Sequence, residues 1–338
     1  MAGADYAPLV TEAGCTFVPI DAPMTPPDDA TGVRAYLDAL RRYMDAGASA
    51  ALSALDARAG FDVVLTNAIS RYGHDIAEHL GVPSAAALLQ PAEPSAAYPP
   101  MRLPRESRAA AQRRRRSTGL PVHHGISPAV LPRPEEWSER LTLDGFWWSP
   151  TRAGWEAPDD LSAFLDAGTA PIVVTLGSLP PGGETTAQIE RALRPGGHRV
   201  ILQGDVLSDA AAHLAGDLGP ERVLHVGDVP HEWLLPRAAA VVHQAGAGVT
   251  SSALRAGTPS VPVPTHTDQP FWARRLGALS AGTAPVPMKR LTADALATRL
   301  GEATSSKALR DGAAQVARAL AAEDGTMPLR SWLRRLAV

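Results

Sequence analysis

The residues best suited to chemistry lie between positions 226 and 272. An apolar run ends at His243 and is followed by Gln244-Ala245-Gly246-Ala247-Gly248-Val249; Thr250 or Ser251 can then cap a helix that Gly257 can end. A strand, a small-residue turn and a helix in that order bring free backbone N–H groups and a positive helix end to the carboxyl edge of a parallel sheet, where anions bind in doubly wound folds. Small side chains let a phosphate approach the backbone, and His243 at the strand tip can add a hydrogen bond to a phosphate oxygen. After the next apolar run stand Asp268 and Gln269, a carboxylate that accepts and an amide that both donates and accepts, a pair that suits sugar hydroxyls. The segment 226–236 ends another strand, and its backbone could pair with a base edge. Ser178 sits at a further strand end. Four loops on one sheet edge then converge on one ligand. The turn is neither a dinucleotide fingerprint, whose third small position and following acid are missing, nor a P-loop, which needs Gly-Lys-Ser/Thr.

Those loops need a sheet to hold them. Five short apolar runs, 171–176, 199–203, 222–226, 239–243 and 260–263, are rich in β-branched residues and end in glycine or turn residues. Helical patterns at 185–193, 208–214 and 250–256 lie between them, which predicts a doubly wound parallel sheet. Pro262 donates no ladder bond, so the last strand is expected to be short or exposed there. Residues 292–301 and 305–322 predict two amphipathic helices. The first half is also α/β: strands are predicted at 14–20, 61–66 and 84–89, and helices at 32–58 and 74–80, the second ended by Gly81.

With 338 residues the chain suits two domains. Residues 1–141 are expected to form one, 142–158 a linker and 159–338 the other. The linker carries Phe146, Trp147, Trp148 and Trp155, read as interdomain packing. At 45% hydrophobic and 20% charged the composition is that of a soluble globular protein, and a net charge of −3 argues against nucleic acid or an anionic membrane as obligatory partner. No secretory signal and no run of about 18 apolar residues is visible, so the expectation is a cytoplasmic protein without a transmembrane segment. The single cysteine, Cys15, forms no intramolecular disulfide and reads as a small buried hydrophobe. The proline-rich stretch 91–120 ends in the run Arg113 to Arg116, read as a solvated face or loose connector because no aromatic residues interleave with it. His123-His124 invites a metal reading, but no carboxylate or cysteine lies at ligand spacing, so a structural role is preferred. Asp28-Asp29 beside Pro26-Pro27 reads as loop, Asp144 before Gly145 as a turn residue, and His266 as a loop histidine with a role at the sugar as the rival reading.

The segment 222–290 closely resembles the donor domain of bacterial glycosyltransferases of the sterol-glucosyltransferase and glycopeptide-antibiotic type. Their signature His-His-x-x-Ala-Gly-Thr, followed by Asp-Gln, stands here as His243-Gln244-Ala245-Gly246-Ala247-Gly248-Val249 with Asp268-Gln269. Gln244 replaces the second histidine and Val249 the threonine, whose hydroxyl Thr250 can supply. The resemblance implies GT-B architecture, two Rossmann-like doubly wound domains, over nearly the whole chain. It implies that His243 and the backbone amides of 246–250 (Gly246, Ala247, Gly248 and Thr250 among them) bind a donor diphosphate, that Asp268 and Gln269 contact the sugar, that Ser178 reaches a phosphate, and that Val229, His231 and Trp233 line base and ribose. The implied activity is inverting transfer of a hexose from a UDP- or TDP-sugar to a hydroxyl of a lipid-like or natural-product acceptor, with no metal or other cofactor. The family begins with a strand, a loop and a helix that find no match before Tyr6, and that loop holds the usual catalytic base. The expectation is therefore a truncated N-terminal domain with no identifiable base, a shortened acceptor region at 100–120, and an exposed sheet edge that invites a homodimer or partner chain. The rival reading is a non-catalytic homologue that binds a nucleotide sugar or another glycosyltransferase. A nucleotide-sugar epimerase fits the α/β pattern but not the placement of Asp268-Gln269.

Overall fold

The computed structural model describes residues 1–23, 32–56, 61–70, 72–91, 95, 119–149, 154–177 and 182–336. The predictions made for Ser178, Asp28-Asp29 and Arg113 to Arg116 fall outside them. Helices α1 (Ala7–Glu12), α2 (Gly32–Asp56) and α3 (Tyr72–Leu80) accompany a first sheet of strands β1 (Val64–Thr66), β2 (Ser84–Leu88), β3 (Val122–His124) and β4 (Leu141–Leu143). All its pairs are parallel, in the order β1-β2-β3-β4. Strand β4 straddles the boundary expected at 141. Gly81 takes φ +68° directly after α3, as its role in ending that helix requires. The strand expected at 14–20 reduces to one bridge between Ala2 and Pro19. Proline there offers no N–H to extend the ladder, and Ala2 is its one bridge partner among the described residues. Cys15 is exposed, so the buried-hydrophobe reading is corrected.

The second sheet is as patterned in the sequence. Its strands are β5 (Ile172–Thr175), β6 (Val200–Gln203), β7 (Val223–Val226), β8 (Ala240–His243) and β9 (Ser260–Pro262), and its helices α4 (Asp159–Asp166), α5 (Gly183–Leu193), α6 (Ser208–Leu218), α7 (His231–Leu234), α8 (Ala247–Ala256), α9 (Gln269–Ala278), α10 (Ala293–Ser305), α11 (Lys307–Leu320) and α12 (Met327–Leu336). Every residue of β5, β6, β8 and β9 is buried, as strands covered on both faces must be, which is why these runs are apolar without alternation. Two clusters cover the faces, one around Val174, Leu202, Val242 and Leu296, the other around Val173, Ile201, Val241 and Leu234. Pro262 is buried, not exposed, and the shortness expected of its strand is met: β9 is an edge strand of three residues.

Strand order is β7-β6-β5-β8-β9, all parallel. The chain winds from β5 out to β7, then returns to place β8 on the other side of β5. Connections therefore diverge between β5 and β8, which opens a crevice at their carboxyl ends. Thr175 pairs with His243 across that point.

The two halves meet around Trp272, whose cluster includes Ile126, Val130, Leu131 and Phe146 from the first half. Arg275 donates from Nε (3.0 Å) and Nη2 (2.5 Å) to the Val130 carbonyl. The chain after α11 returns to the first half, where Trp147 donates to the Gly325 carbonyl at 2.7 Å and Ser127 to the Glu323 carboxylate at 2.6 Å. Trp148 lies beneath the Arg255 guanidinium and Trp155 packs edge-on against Trp233. Phe146, Trp147 and Trp148 thus pack between the halves, as read from the sequence, whereas Trp155 packs within the second half.

Asp144 is more than a turn residue. It is buried, and its Oδ2 lies 2.7 Å from His123 Nδ1. His124 is buried too, stacked on Trp137 with Nδ1 2.8 Å from the Thr142 carbonyl, and burial lowers its pKa to about 4. Both histidines serve structure, and among the described residues no group of three or more His, Cys, Asp or Glu side chains is arranged to hold a metal ion. No described helix is long and apolar enough to cross a membrane.

Candidate functional site

His243 ends β8 at the crevice and is fully buried. Its Nδ1 accepts the Ala245 backbone N–H at 3.1 Å. Burial, reinforced by nearby His231, holds its pKa down to about 3, so the ring is neutral at pH 7. With Nδ1 acting as acceptor, the single proton sits on Nε2. That Nε2–H is buried and has no hydrogen-bond partner among the described residues. An orphaned buried donor costs about 1–3 kcal/mol, an expense that an incoming acceptor would relieve.

The turn holding this ring is strained. Ala245 takes φ +60°, the left-handed region that a Cβ disfavours, and Thr267, before Asp268, takes φ +54°. Two loops of the crevice thus each hold a non-glycine residue there. Gly246 is the N-cap of α8 and has no side-chain cap. Helix geometry leaves the amides of Ala247, Gly248 and Val249 without an intrahelical acceptor. The helix starts three residues earlier than the predicted Thr250. Thr250 is therefore no cap, and its amide is already spent on the Gly246 carbonyl at 3.0 Å. Its hydroxyl is buried with no partner among the described residues. Ser251 bonds back to the Gly248 carbonyl at 2.8 Å.

Asp268 and Gln269 flank the start of α9, and the structure gives them different surroundings. Asp268 is partly exposed; its Oδ1 accepts from Thr267 Oγ1 at 3.0 Å and its Oδ2 from Trp272 Nε1 at 3.1 Å. Gln269 is buried. Its Oε1 accepts from the Thr265 amide (2.7 Å) and hydroxyl (2.6 Å), while Nε2 faces Gln244 Oε1 at 3.4 Å. His266 is exposed, with Nδ1 3.3 Å from Thr267 Oγ1.

Within the segment 226–236, expected to offer its backbone to a base edge, Val229 is in part engaged. Val229 is buried; its N–H bonds the Gly227 carbonyl at 3.1 Å, and its carbonyl accepts from Gln203 Nε2 at 2.6 Å. The N–H is taken, and the carbonyl keeps one lone pair. Gln203 Oε1, by contrast, is buried and has no partner among the described residues. Nothing in the sequence singles out Gln203 beyond its place at a strand end. His231 opens α7, and burial lowers its pKa against the opposing pull of Asp228. Trp233 is half-buried, with Arg237 4.2 Å above its ring and Trp155 at its edge. The fold therefore brings His243, Gly246 to Gly248, His231, Asp268 and Gln269 to one crevice. Another cleft of about 540 Å³, lined by Phe146, Trp148, Glu232, Arg255 and the 323–326 loop, contains none of the predicted donor-site residues.

Residues 200–328 match the family model of the erythromycin biosynthesis protein CIII-like C-terminal domain. The chain is 37% identical over 216 residues to O-mycaminosyltylonolide 6-deoxyallosyltransferase of Streptomyces fradiae, a match covering 62% of this chain and 49% of that one. It is 33% identical over 218 residues to a sterol 3-beta-glucosyltransferase of Arabidopsis thaliana, covering 62% and 32%. The matched stretch thus spans half or less of these relatives. Among solved structures, the glycosyltransferase of kitacinnamycin superposes with a TM-score of 0.71 at 20% identity, over 99% of this chain and 90% of that one. The glycosyltransferase VinC in complex with DTDP gives 0.67 at 21%, over 99% and 91%. The C-terminal region thus matches the erythromycin CIII-like domain, the matched stretch is similar to antibiotic and sterol glycosyltransferases, and the two parallel sheets have the GT-B fold of these solved structures.

Proposed function

We propose that the chain binds a uridine- or thymidine-diphosphate hexose in the β5–β8 crevice and transfers the hexose, with inversion, to a hydroxyl of a hydrophobic acceptor. The observation that carries this reading is the neutral, buried His243, whose orphaned Nε2–H stands beside the uncapped N-terminus of α8 at the point where strand order reverses. A donor N–H and a positive helix end form an acceptor-seeking, anion-favouring site. In the reaction, a base takes the acceptor proton, the acceptor oxygen attacks the anomeric carbon from the face opposite the leaving group, and the C–O bond to the diphosphate breaks. Charge develops on the departing diphosphate, where the fixed donors of the turn stabilise it without reorganising. No metal is required in this scheme. Asp268, with accepting capacity left on both oxygens, receives a sugar hydroxyl. The reading gains support from neighbours whose structures hold UDP or thymidine diphosphate and from the glycosyl transfer named for the curated relatives.

Calorimetric titration with UDP and TDP tests it, with His243→Ala as comparison. Losing one N–H to a charged phosphate should weaken binding by roughly 10- to 100-fold. Equal binding by wild type and variant would sink the assignment, and a folded wild-type chain that binds neither nucleotide would leave the site without a donor role.

A further inference from the structure

We infer that Gln203 reads the base of the donor, its side-chain oxygen accepting the imide N3–H of uracil or thymine. This rests on the donor-site reading above and deepens it. Gln203, Thr175 and His243 are the last residues of β6, β5 and β8, and the ladders pair Gln203 with Thr175 and Thr175 with His243. Equal register on adjacent parallel strands turns all three side chains to one face of the sheet. It is the face of Ile201, Val173 and Val241, two residues back on each strand, which cluster with Val229. The three form a buried polar row at the carboxyl edge of strands that are otherwise apolar. Strands lie about 4.8 Å apart, so Gln203 stands about 10 Å from His243, of the order of the distance from a diphosphate to the pairing edge of its base. On the other side of His243 the row continues to Pro262, which offers no polar side chain, and Asp268 follows that strand. With the sugar on the β9 side, the base is carried along the row towards Gln203 and Val229. The amide of Gln203 suits that end. Its Nε2 donates to the Val229 carbonyl at 2.6 Å, which distinguishes nitrogen from oxygen, since a carbonyl only accepts. Oε1 is buried and has no partner among the described residues. An orphaned acceptor costs free energy that a ligand N–H recovers. Uracil and thymine both present an N–H at N3, where cytosine has a lone pair. The Val229 carbonyl, with one lone pair left, stands beside Oε1, so Gln203 steadies one acceptor and adds a second. Oε1 is enclosed, as His243 Nε2 is, so a base reaches it by displacing the atoms that cover it.

A base contact and a purely structural amide respond differently when the base loses its N–H. The probe is N3-methyl-UDP, in which a methyl group replaces that proton. The test is calorimetric titration of the full chain with UDP and with N3-methyl-UDP, for wild type, Gln203→Ala and Gln203→Met. Wild type is expected to prefer UDP by at least about tenfold, because the methylated base leaves Oε1 without a donor. Gln203→Ala removes the acceptor and opens room for the methyl group. It is expected to bind UDP about tenfold more weakly than wild type and to prefer it over the methylated ligand by about threefold or less. An amide that only supports the Val229 segment would, when removed, weaken both ligands by one factor and leave the preference as it was. Should Gln203→Ala not fold, Gln203→Met, which keeps the length of the side chain without its acceptor, carries the same comparison. The inference is overturned if the variant keeps the wild-type preference, or if wild type binds the two ligands alike. A folded wild-type chain that binds neither UDP nor TDP overturns the donor reading and the role of Gln203 with it, a result distinct from either of those.

Discussion

Acidification should destabilise this protein through two histidines that the fold holds neutral. His243 is fully buried with a pKa lowered to about 3, and His124 is fully buried with a pKa lowered to about 4. In the unfolded chain both titrate near 6.5. Between the folded and unfolded values the unfolded state binds more protons, so stability is fully present above about pH 6.5 and falls as the pH drops towards 4 and then 3. At pH 5 each histidine lies about 1.5 pH units below its unfolded pKa and well above its folded one. One pH unit corresponds to about 1.4 kcal/mol, so each residue costs roughly 2 kcal/mol and the pair roughly 4. That is a large share of the 5–15 kcal/mol typical of a folded protein. Local geometry points the same way. A proton arriving on His243 Nδ1 would expel the Ala245 N–H that this nitrogen accepts, loosening a turn already at φ +60°. The assay is urea unfolding at pH 7.5 and pH 5 for wild type, His124→Phe and His243→Ala. His124→Phe keeps an aromatic ring against Trp137. Other titrating groups contribute equally to all three proteins, so the differences isolate the histidines, and each variant should lose about 2 kcal/mol less than wild type on acidification. Acid losses in both variants equal to that of wild type would refute the argument.

Two further outcomes follow from single contacts. Trp272→Phe keeps a smaller aromatic ring in the cluster between the halves and removes the N–H that holds Asp268 Oδ2. Because that carboxylate is partly exposed, the loss is discounted to roughly 1 kcal/mol, about fivefold weaker binding of UDP-glucose with UDP binding unchanged; equal weakening of both ligands would show that Trp272 does not act through Asp268. Gly325→Ala would drive a Cβ into the Phe146 carbonyl and the Gly145 backbone, where the two chain segments cross with almost no space between them. Urea unfolding should register a loss of about 1–3 kcal/mol, and wild-type stability in this variant would mean that the crossing yields freely.

The second sheet was legible because four of its five strands are buried throughout and so appear as nearly unbroken apolar runs, a signal that needs no knowledge of partners. The site was legible for a related reason. The small residues after His243 have few structural explanations other than close approach to the backbone, and the resemblance to a known donor domain fixed their order. Legibility failed where a role depends on a neighbour distant in sequence. Asp144 looks like the turn residue its following glycine suggests, and its partner His123 lies on the adjacent strand. The first half offered less, since three-residue strands such as β1 and β4 carry little periodicity.

Within the site the same limit shows at finer scale. Residue type told that Asp268-Gln269 could serve a sugar, because a carboxylate and an amide have the right donors and acceptors. It could not tell that Thr265 would fill one of them, since a hydroxyl and an amide four residues upstream are visible as partners only once the loop has folded back on α9. Gln203 is the complementary case. It donates to the Val229 carbonyl, within the segment expected to meet the base, and its own Oε1 has no partner among the described residues. A motif therefore locates the crevice, whereas the count of donors and acceptors still unspent after folding decides which of its residues remain free to bind. By that count His243 Nε2, the first amides of α8 and Asp268 are open, while the Thr250 amide, the Val229 amide and Gln269 Oε1 are already engaged.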